Sequence, residues 1–125
     1  MVDKFLYEDE CHKIIGACYE VQNELGFGFL EAVYHEALQI TFLNKLIPFE
    51  SEKKLEIYFK GQKLQKAYYA DFICYDKIII ELKASDGLTP EHSAQVLNYL
   101  KATNFRLGLL INFGTPQVQI KRVIL

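Results

Sequence analysis

Three charged residues interrupt segments of the sequence that are otherwise apolar. Asp71 stands inside the aromatic and β-branched run 68–73, and Glu81 and Lys83 follow three isoleucines at 78–80. Carboxylates in such segments are costly to bury unless they are paired, hydrogen-bonded or bound to a metal. Two carboxylates beside a lysine offer oxygen ligands to a hard divalent cation, with water and a substrate phosphate as further ligands. The lysine could orient or help deprotonate a metal-bound water, so the pattern predicts metal-dependent attack on phosphorus.

The elements that must position these residues follow from the hydrophobic period. Helical spacing ends at Gly26, a second helix ends before Pro48, and Thr89-Pro90 is typical of the start of a third. The second helix is apolar on most of its circumference, which predicts that it is more buried than the first. The predicted order is α-α-β-β-β-α-β-β, an α/β (α+β) fold with a mixed β-sheet flanked by helices, in which the third helix connects two parallel strands. The predicted helices are 3–25, 29–46 and 90–103, and the predicted strands are 51–59, 64–75, 78–83, 106–113 and 118–125.

The turn between the second and third strands decides whether the carboxylates meet. Glu81 and Lys83 lie two residues apart and therefore share one face of their strand. A two-residue loop at 76–77 would place Asp71 opposite Leu82 and leave Glu81 on the other face. A three-residue loop or a bulge would place Asp71 opposite Glu81. We predict this second, odd register, and a strict two-residue hairpin would rule out the metal site.

The spacing of Asp71, nine further residues and then Glu81-Leu82-Lys83 resembles the D-x9-E-x-K form of the PD-(D/E)XK nuclease superfamily. Residues 28–34 read G-x-x-E-x-x-Y, which is similar to the signature of the small GxxExxY family within that superfamily. Residues 95–99 read Q-x-x-x-Y, similar to a helix motif of RecB-like nucleases. The order of elements also fits, so the resemblance covers the chain from about residue 8 to its end.

This resemblance implies a role for each matching residue of the strands. Asp71 and Glu81 would bind Mg²⁺ or Mn²⁺, with the backbone carbonyl of Leu82 as a further ligand. Lys83 would position the attacking water. Ala70 stands where the family name has proline, a position that varies across the superfamily.

Two helical residues would complete the site in such a protein. Glu31 would extend the metal shell or hold a water, although a carboxylate in the first turn of a helix also interacts favourably with the helix dipole. Gln95 would orient the metal-bound water, the lysine or a substrate phosphate. Tyr34 and Tyr99, each one turn further on, fit supporting residues that pack and hydrogen-bond through their hydroxyls. His12 and His35 fit helix-surface positions, and His92 fits a surface or capping position from which it could also reach a phosphate.

Composition limits the class of protein and hides an asymmetry of charge. With 125 residues, half of them hydrophobic, the chain is expected to form one globular domain, residues 1–125. The formal net charge is −2, but residues 1–36 sum to −6 and residues 37–125 to +4. If a polyanion such as nucleic acid is the partner, the later part of the chain should contact it.

The cysteines and the start of the chain indicate the compartment. The three cysteines form no CxxC pair, and Cys11 and Cys18 would lie roughly 10 Å apart on one helix, too far for a disulfide. No signal peptide or membrane-length apolar run is visible in the sequence. We therefore expect a cytoplasmic protein with no membrane partner.

These observations predict a minimal metal-dependent nuclease that hydrolyses phosphodiester bonds of DNA or RNA. One alternative is a catalytically silent nuclease fold that binds nucleic acid or forms a homodimer through an aromatic β-surface of Tyr58, Tyr68 and Tyr75. A second is a subunit of a larger nucleic-acid-processing assembly. A third reading of Glu81 and Lys83 alone is a solvated ion pair at a strand end.

Overall fold

The fold is a five-stranded mixed sheet with helices on both faces. The computed structural model describes residues 6–125, and the order of its elements is the predicted α-α-β-β-β-α-β-β. Strand β1 pairs antiparallel with β2, β2 antiparallel with β3, β3 parallel with β4, and β4 antiparallel with β5. The strands lie side by side in sequence order. The elements are α1 (Glu8–Leu25), α2 (Glu31–Asn44), β1 (Phe49–Phe59), β2 (Gln62–Cys74), β3 (Ile78–Lys83), α3 (Pro90–Thr103), β4 (Leu107–Asn112) and β5 (Gln119–Ile124).

Two apolar clusters hold the helices against the sheet. Side chains of α1 and α2 pack with Phe72, Ile80 and Leu82 on one face. Side chains of α3 pack with Ile79 and Leu110 on the other. Strand β3 is therefore covered on both sides, which explains its unbroken apolar start. The crossover through α3 makes β3 and β4 parallel neighbours, as predicted.

The third helix begins where its local signals place it. Thr89 is the N-cap, its hydroxyl accepts a hydrogen bond from the backbone N–H of His92 at 3.3 Å, and Pro90 follows at the first position. The His92 ring accepts in return from the Thr89 backbone N–H at 3.1 Å. The capping position expected for His92 is thus confirmed. The two bonds satisfy the backbone N–H groups of Thr89 and His92 at the start of α3.

The first two helices differ from their predicted form. Helix α1 begins at Glu8, after a left-handed Tyr7, and the predicted start at residues 3–5 lies outside the described residues. The prediction that α2 is the more buried helix is wrong, because only a stripe of Tyr34, Leu38 and Phe42 meets the core. The apolar residues on its other sides remain exposed, among them Leu30, Val33, Ile40 and Leu43.

The aromatic β-surface considered for dimerisation does not exist as one surface. Tyr58 is exposed, whereas Tyr68 packs against Tyr99 of α3 with ring centroids 5.2 Å apart. Tyr75 packs against the cluster on the opposite face. These three rings therefore cannot meet one partner together.

Two further findings concern the chain as a whole. Cys11, Cys18 and Cys74 are buried free thiols. No helix among residues 6–125 has the length and apolar character needed to span a membrane.

Candidate active site

The alternation of side chains between the two faces of the sheet breaks at Glu52 in β1 and at Asp71 in β2. Side chains an even number of residues apart share a face of a regular strand. Ala70 nevertheless packs in the cluster on the α3 side, while Phe72 packs on the α1 and α2 side. Glu52, on the neighbouring strand, has the left-handed φ of 51°. The alternation therefore breaks at Asp71, which frees its side chain from either core.

The β2–β3 hairpin has the odd register that brings the carboxylates together. Cys74 pairs with Ile78 and Phe72 with Ile80, so the loop contains three residues, 75–77. Continued by one position, this register sets Asp71 opposite Glu81. The register prediction is confirmed.

Where β2 and β3 diverge, hydrogen bonds from backbone N–H groups to carboxylate side chains replace the bonds between the two backbones. The backbone N–H of Asp71 donates to Oε1 of Glu81 at 3.2 Å, and the backbone N–H of Leu82 donates to Oδ2 of Asp71 at 2.8 Å. The N–H and C=O of one residue point to the same side of an extended strand. The Leu82 carbonyl therefore faces the same gap as the two carboxylates, where a cation could reach all three groups.

Burial and mutual repulsion disfavour ionisation of both carboxyl groups. Burial raises the pKa of Glu81 to about 8, and the neighbouring Asp71 charge contributes in the same direction. Burial also raises the pKa of Asp71, against the opposing effect of the Leu82 N–H, His35 and Lys83. A cation between the two carboxyl groups would favour their ionised forms and lower both pKa values, which is the chemistry of a site that accepts a cation.

Lys83 is held by α3 and not by Glu81. Its Nζ donates to Oε1 of Gln95 at 2.9 Å, so the ion pair considered for Glu81 and Lys83 is not the contact that orients the lysine. Tyr99 lies one turn further along α3, and burial together with the Glu81 charge raises the pKa of Tyr99 to about 12. Of the predicted Q-x-x-x-Y pair, Gln95 is the residue that contacts the lysine.

Glu31 faces the same site from the other side of the sheet. It is the first residue of α2, and with Asp71 and His35 it lines an open cavity of about 440 Å³. Burial and the Asp71 charge raise the pKa of Glu31, while Lys83 and His35 oppose this shift. Within residues 6–125, no three His, Cys, Asp or Glu side chains are grouped closely enough to hold a metal ion between them. Glu31 is thus placed at the site, outside a compact three-ligand group.

His35 contacts the site, although the sequence suggested a surface position. Its Nε2 lies 3.3 Å from the backbone carbonyl of Asp71, and its ring stacks on Phe72 with centroids 4.3 Å apart. Its position one turn after Glu31 on α2 was the signal that could have identified it. His35 supports the strand at the point where its alternation breaks.

Tyr34 fixes the loop that precedes α2. Its hydroxyl donates to the carbonyl of Gly26 at 2.8 Å and accepts from the backbone N–H of Phe29 at 3.3 Å, and its ring stacks on Phe113. Tyr34 thus packs and hydrogen-bonds through its hydroxyl, and its supporting role in the site stays a prediction. The contacts set the position at which α2 begins, and with it the position of Glu31.

Asn112 was missed by sequence reasoning and organises the end of β3. It is fully buried and lies beside Lys83 in the parallel register. Its amide exchanges two hydrogen bonds of 3.0 Å with the backbone of Ser85 and accepts a third from the N–H of Gly114. The signal that could have identified it is its position in the apolar run 107–113, an interruption of the same kind as Asp71 in 68–73.

A family model identifies the class to which this chain belongs. The model of the PD-(D/E)XK nuclease superfamily matches residues 8–123. The chain therefore belongs to the PD-(D/E)XK nuclease superfamily, and its mixed sheet with flanking helices has the order of that fold.

One solved structure supports the same fold. The crystal structure of SSO0001 is 25% identical in sequence and superposes with a TM-score of 0.59 over 74% of this chain. The matched part is 48% of the SSO0001 chain, so this chain spans about half the length of that protein. The sequence matches none of the curated proteins with which it was compared.

Proposed function

We propose that this protein is a divalent-metal-dependent nuclease that hydrolyses phosphodiester bonds of DNA or RNA. The observation that carries the proposal is the meeting of Asp71 and Glu81 at the divergence of β2 and β3, beside the Lys83–Gln95 contact. Superfamily membership supports a nuclease-like function in general. The substrate, the cation and the residue roles are the proposal.

The metal ligands in this proposal are the carboxylates of Asp71 and Glu81 and the carbonyl of Leu82. They fit Mg²⁺ or Mn²⁺, because hard cations prefer oxygen ligands and Mg²⁺ keeps several waters. When bound, such an ion polarises the phosphate and makes a coordinated water more acidic. The raised pKa of Glu81 adds support, because two close carboxylates gain from a cation between them.

The other side chains act on the water and the phosphate. Lys83 positions the attacking water and offsets the negative charge that develops on the phosphate oxygens. Gln95 holds the lysine in this position. Glu31 holds a second water in the cavity that it shares with Asp71. The water oxygen attacks phosphorus in line with the leaving oxygen, whose bond to phosphorus breaks.

The finer family assignment is part of the same proposal. We assign the chain to the GxxExxY family on Gly28, Glu31 and Tyr34, with the support that Tyr34 fixes the loop before α2. The three free, buried cysteines favour a reducing compartment such as the cytoplasm.

A second candidate function is that of a subunit in a homodimer or a larger assembly. The observation that favours it is the exposed apolar surface of α2, where Val33, Ile40 and Leu43 are 38%, 53% and 59% exposed. Apolar patches of this kind are typical of protein interfaces. This function is compatible with nuclease activity that requires the partner.

A cleavage assay tests the proposed function. The purified chain is incubated with labelled single- and double-stranded DNA and RNA in Mg²⁺, in Mn²⁺ and in a chelator. We expect metal-dependent cleavage that is lost in Asp71→Ala and Lys83→Ala and kept in Lys101→Ala, a matched variant at the exposed end of α3. Cleavage that survives both site substitutions would indicate a contaminant and refute the proposal.

A further inference from the structure

The β1–β2 hairpin carries an exposed strip of aromatic and basic side chains. Lys54 pairs across the strands with Tyr69, and Tyr58 pairs with Lys63. Glu56 accepts a hydrogen bond from the Tyr58 hydroxyl at 3.2 Å and lies 3.6 Å from the Lys63 ammonium. The register shifts between Glu56 and Tyr58, but the contacts of Glu56 with Tyr58 and Lys63 keep these side chains together. With Lys54 and Tyr69 they form one surface, which we call the hairpin face.

Among residues 6–125, no helix covers the hairpin face. The opposite side of the same hairpin is covered, because Leu55 is buried and Tyr68 packs against Tyr99 of α3. On the hairpin face, Tyr58 and Tyr69 remain 62% and 58% exposed. Two large rings in solvent do not contribute to the core, and their position on one face fits a surface that binds a partner.

The distal part of the hairpin carries an excess of positive charge, which favours a polyanionic partner. Residues 53–66 contain five lysines and a single acidic residue, Glu56. The chain as a whole is slightly acidic, so this segment is a local concentration of positive charge. A second copy of the chain would bring the same lysines to a face-to-face contact, whereas a nucleic acid brings phosphates.

The hairpin face is continuous with the candidate active site. Tyr69 precedes Asp71 by two residues on β2, and the strip extends from there to Tyr58 and Lys63 near the end of the hairpin. At about 3.3 Å per residue this is roughly 13 Å of strand from Lys54 to Tyr58, enough for more than one nucleotide. A strand bound along it would reach the cavity of Asp71 past the exposed Glu52, which lines the same cavity.

We infer that the hairpin face binds single-stranded nucleic acid and leads it to Asp71 and Glu81, with bases stacked on Tyr69 and Tyr58 and phosphates beside Lys54 and Lys63. Exposed rings stack on bases whose faces are free, and a duplex hides those faces in its own stack. The choice of partner rests on the proposed nuclease function. It narrows that function to unpaired strands or to unpaired regions of a larger nucleic acid.

Binding measured in a chelator tests this inference apart from cleavage. Fluorescence anisotropy is recorded with labelled oligothymidylate, oligouridylate and a DNA duplex, at several salt concentrations. We expect Tyr58→Ala and Tyr69→Ala each to weaken single-strand binding at least about five-fold, with Tyr58→Phe and Tyr69→Phe close to the unaltered protein. Lys54→Gln and Lys63→Gln should each reduce the slope of log affinity against log salt by about 0.7.

Matched controls lie on the acidic helix α1. Tyr19 is 52% exposed and Lys13 is exposed, so Tyr19→Ala and Lys13→Gln remove the same kinds of side chain elsewhere. These two variants should bind like the unaltered chain. Equal binding by the hairpin-face alanine variants and these controls would overturn the inference, as would equal affinity for duplex and single strand.

Two results separate this inference from the proposed function. If the chain binds single strands through the hairpin face but cleaves nothing with Mg²⁺ or Mn²⁺, the nuclease function is refuted and the binding surface is supported. A chain that cleaves normally when Tyr58 and Tyr69 are both alanine keeps the function and refutes the surface. A dimer in sedimentation that these substitutions dissociate, with nucleic-acid binding unchanged, would assign the face to self-association and refute the inference.

Discussion

The backbone N–H of Asp71 donates a hydrogen bond of 3.2 Å to the side chain of Glu81, at the point where their strands separate. Together with the bond from the Leu82 N–H to Asp71, it replaces ladder bonds that a regular hairpin would make between backbones. The carboxylates therefore hold the strands together while their remaining oxygen lone pairs are free for a cation. The contacts use Oε1 of Glu81 and Oδ2 of Asp71, two of the four carboxylate oxygens that the proposed metal site offers.

Substitutions of Lys83 and Glu81 should affect the Mg²⁺ dependence of the cleavage rate in different ways. Lys83→Ala removes the group that positions the water, so the rate at saturating Mg²⁺ should fall by roughly 100-fold or more while the Mg²⁺ affinity does not weaken. Glu81→Gln removes a ligand, so the Mg²⁺ concentration for half-maximal rate should rise at least about ten-fold. Cleavage rates across a Mg²⁺ titration measure both. An equal effect of the two substitutions on metal affinity would contradict separate roles.

Gln95 should act by holding the lysine. Gln95→Ala removes the acceptor 2.9 Å from the Lys83 ammonium, and we expect cleavage to slow by roughly ten-fold, less than for Lys83→Ala. The matched control is Asn98→Ala, an exposed amide on the same helix whose own bond is to the Ala94 carbonyl. Single-turnover rates compare the variants. If Asn98→Ala slows the reaction as much as Gln95→Ala, the contact with Lys83 has no special role.

The stability of the metal-free protein should fall as the pH rises. The Glu81 pKa is about 8 in the folded chain and near 4.5 in an unfolded one, so the folded state binds more protons between these values. The free energy of unfolding therefore decreases with pH across this window, and the raised pKa values of Asp71 and Glu31 contribute in the same direction. Urea denaturation in a chelator, at about pH 5 and about pH 8, measures the slope.

Two changes should remove that slope. Glu81→Gln cannot ionise, so the variant should lose less stability between the two pH values than the unaltered chain. Added Mg²⁺ binds the ionised carboxylates and should stabilise the protein more at the higher pH. A metal-free protein that grows more stable towards about pH 8 would contradict the electrostatic account of the site.

Tyr34 should contribute to stability through its hydroxyl. Tyr34→Phe leaves the ring on Phe113 but removes the bonds to Gly26 and Phe29, and we expect a loss of about 1–2 kcal/mol in the free energy of unfolding. Tyr19→Phe, on the exposed side of α1, should change it by less than about 0.5 kcal/mol. Urea denaturation compares the two. Similar values for both variants would show that the loop does not depend on Tyr34.

Gly114 should tolerate no side chain. A Cβ at this position would overlap the backbone of Ser85, which Asn112 holds in place, so Gly114→Ala should lower the free energy of unfolding by about 1–3 kcal/mol. A Cβ at Gly87, in the same β3–α3 loop, meets no atom within 4 Å. Gly87→Ala should therefore be nearly neutral. Thermal denaturation of Gly114→Ala and Gly87→Ala tests whether the β4–β5 loop packs against the β3–α3 loop as closely as the structure shows.

Local signals in the sequence predicted β3 and α3 with their observed bounds. Three consecutive isoleucines favour a strand covered on both faces, and Thr89-Pro90 is typical of the start of a helix. The odd register was also predictable, because only one of two loop lengths brings Asp71 opposite Glu81. These features depend on few residues and short separations.

Features that depend on long-range packing were not predictable. The exchange of faces at Asp71 accompanies a left-handed φ at Glu52, a residue type that gives no warning of it. The exposure of α2 depends on how much of its circumference the sheet covers, and the hydrophobic period of the helix does not predict this. His35 and Asn112 likewise gain their contacts from strands far away in the sequence.

The most direct test of the metal site is an anomalous diffraction measurement on crystals grown or soaked with Mn²⁺. The account predicts one strong anomalous peak bound by the carboxylates of Asp71 and Glu81 and by the carbonyl of Leu82, and no such peak in crystals of Asp71→Asn. Mn²⁺ bound elsewhere, with these carboxylates still joined only to each other's strands, would contradict it.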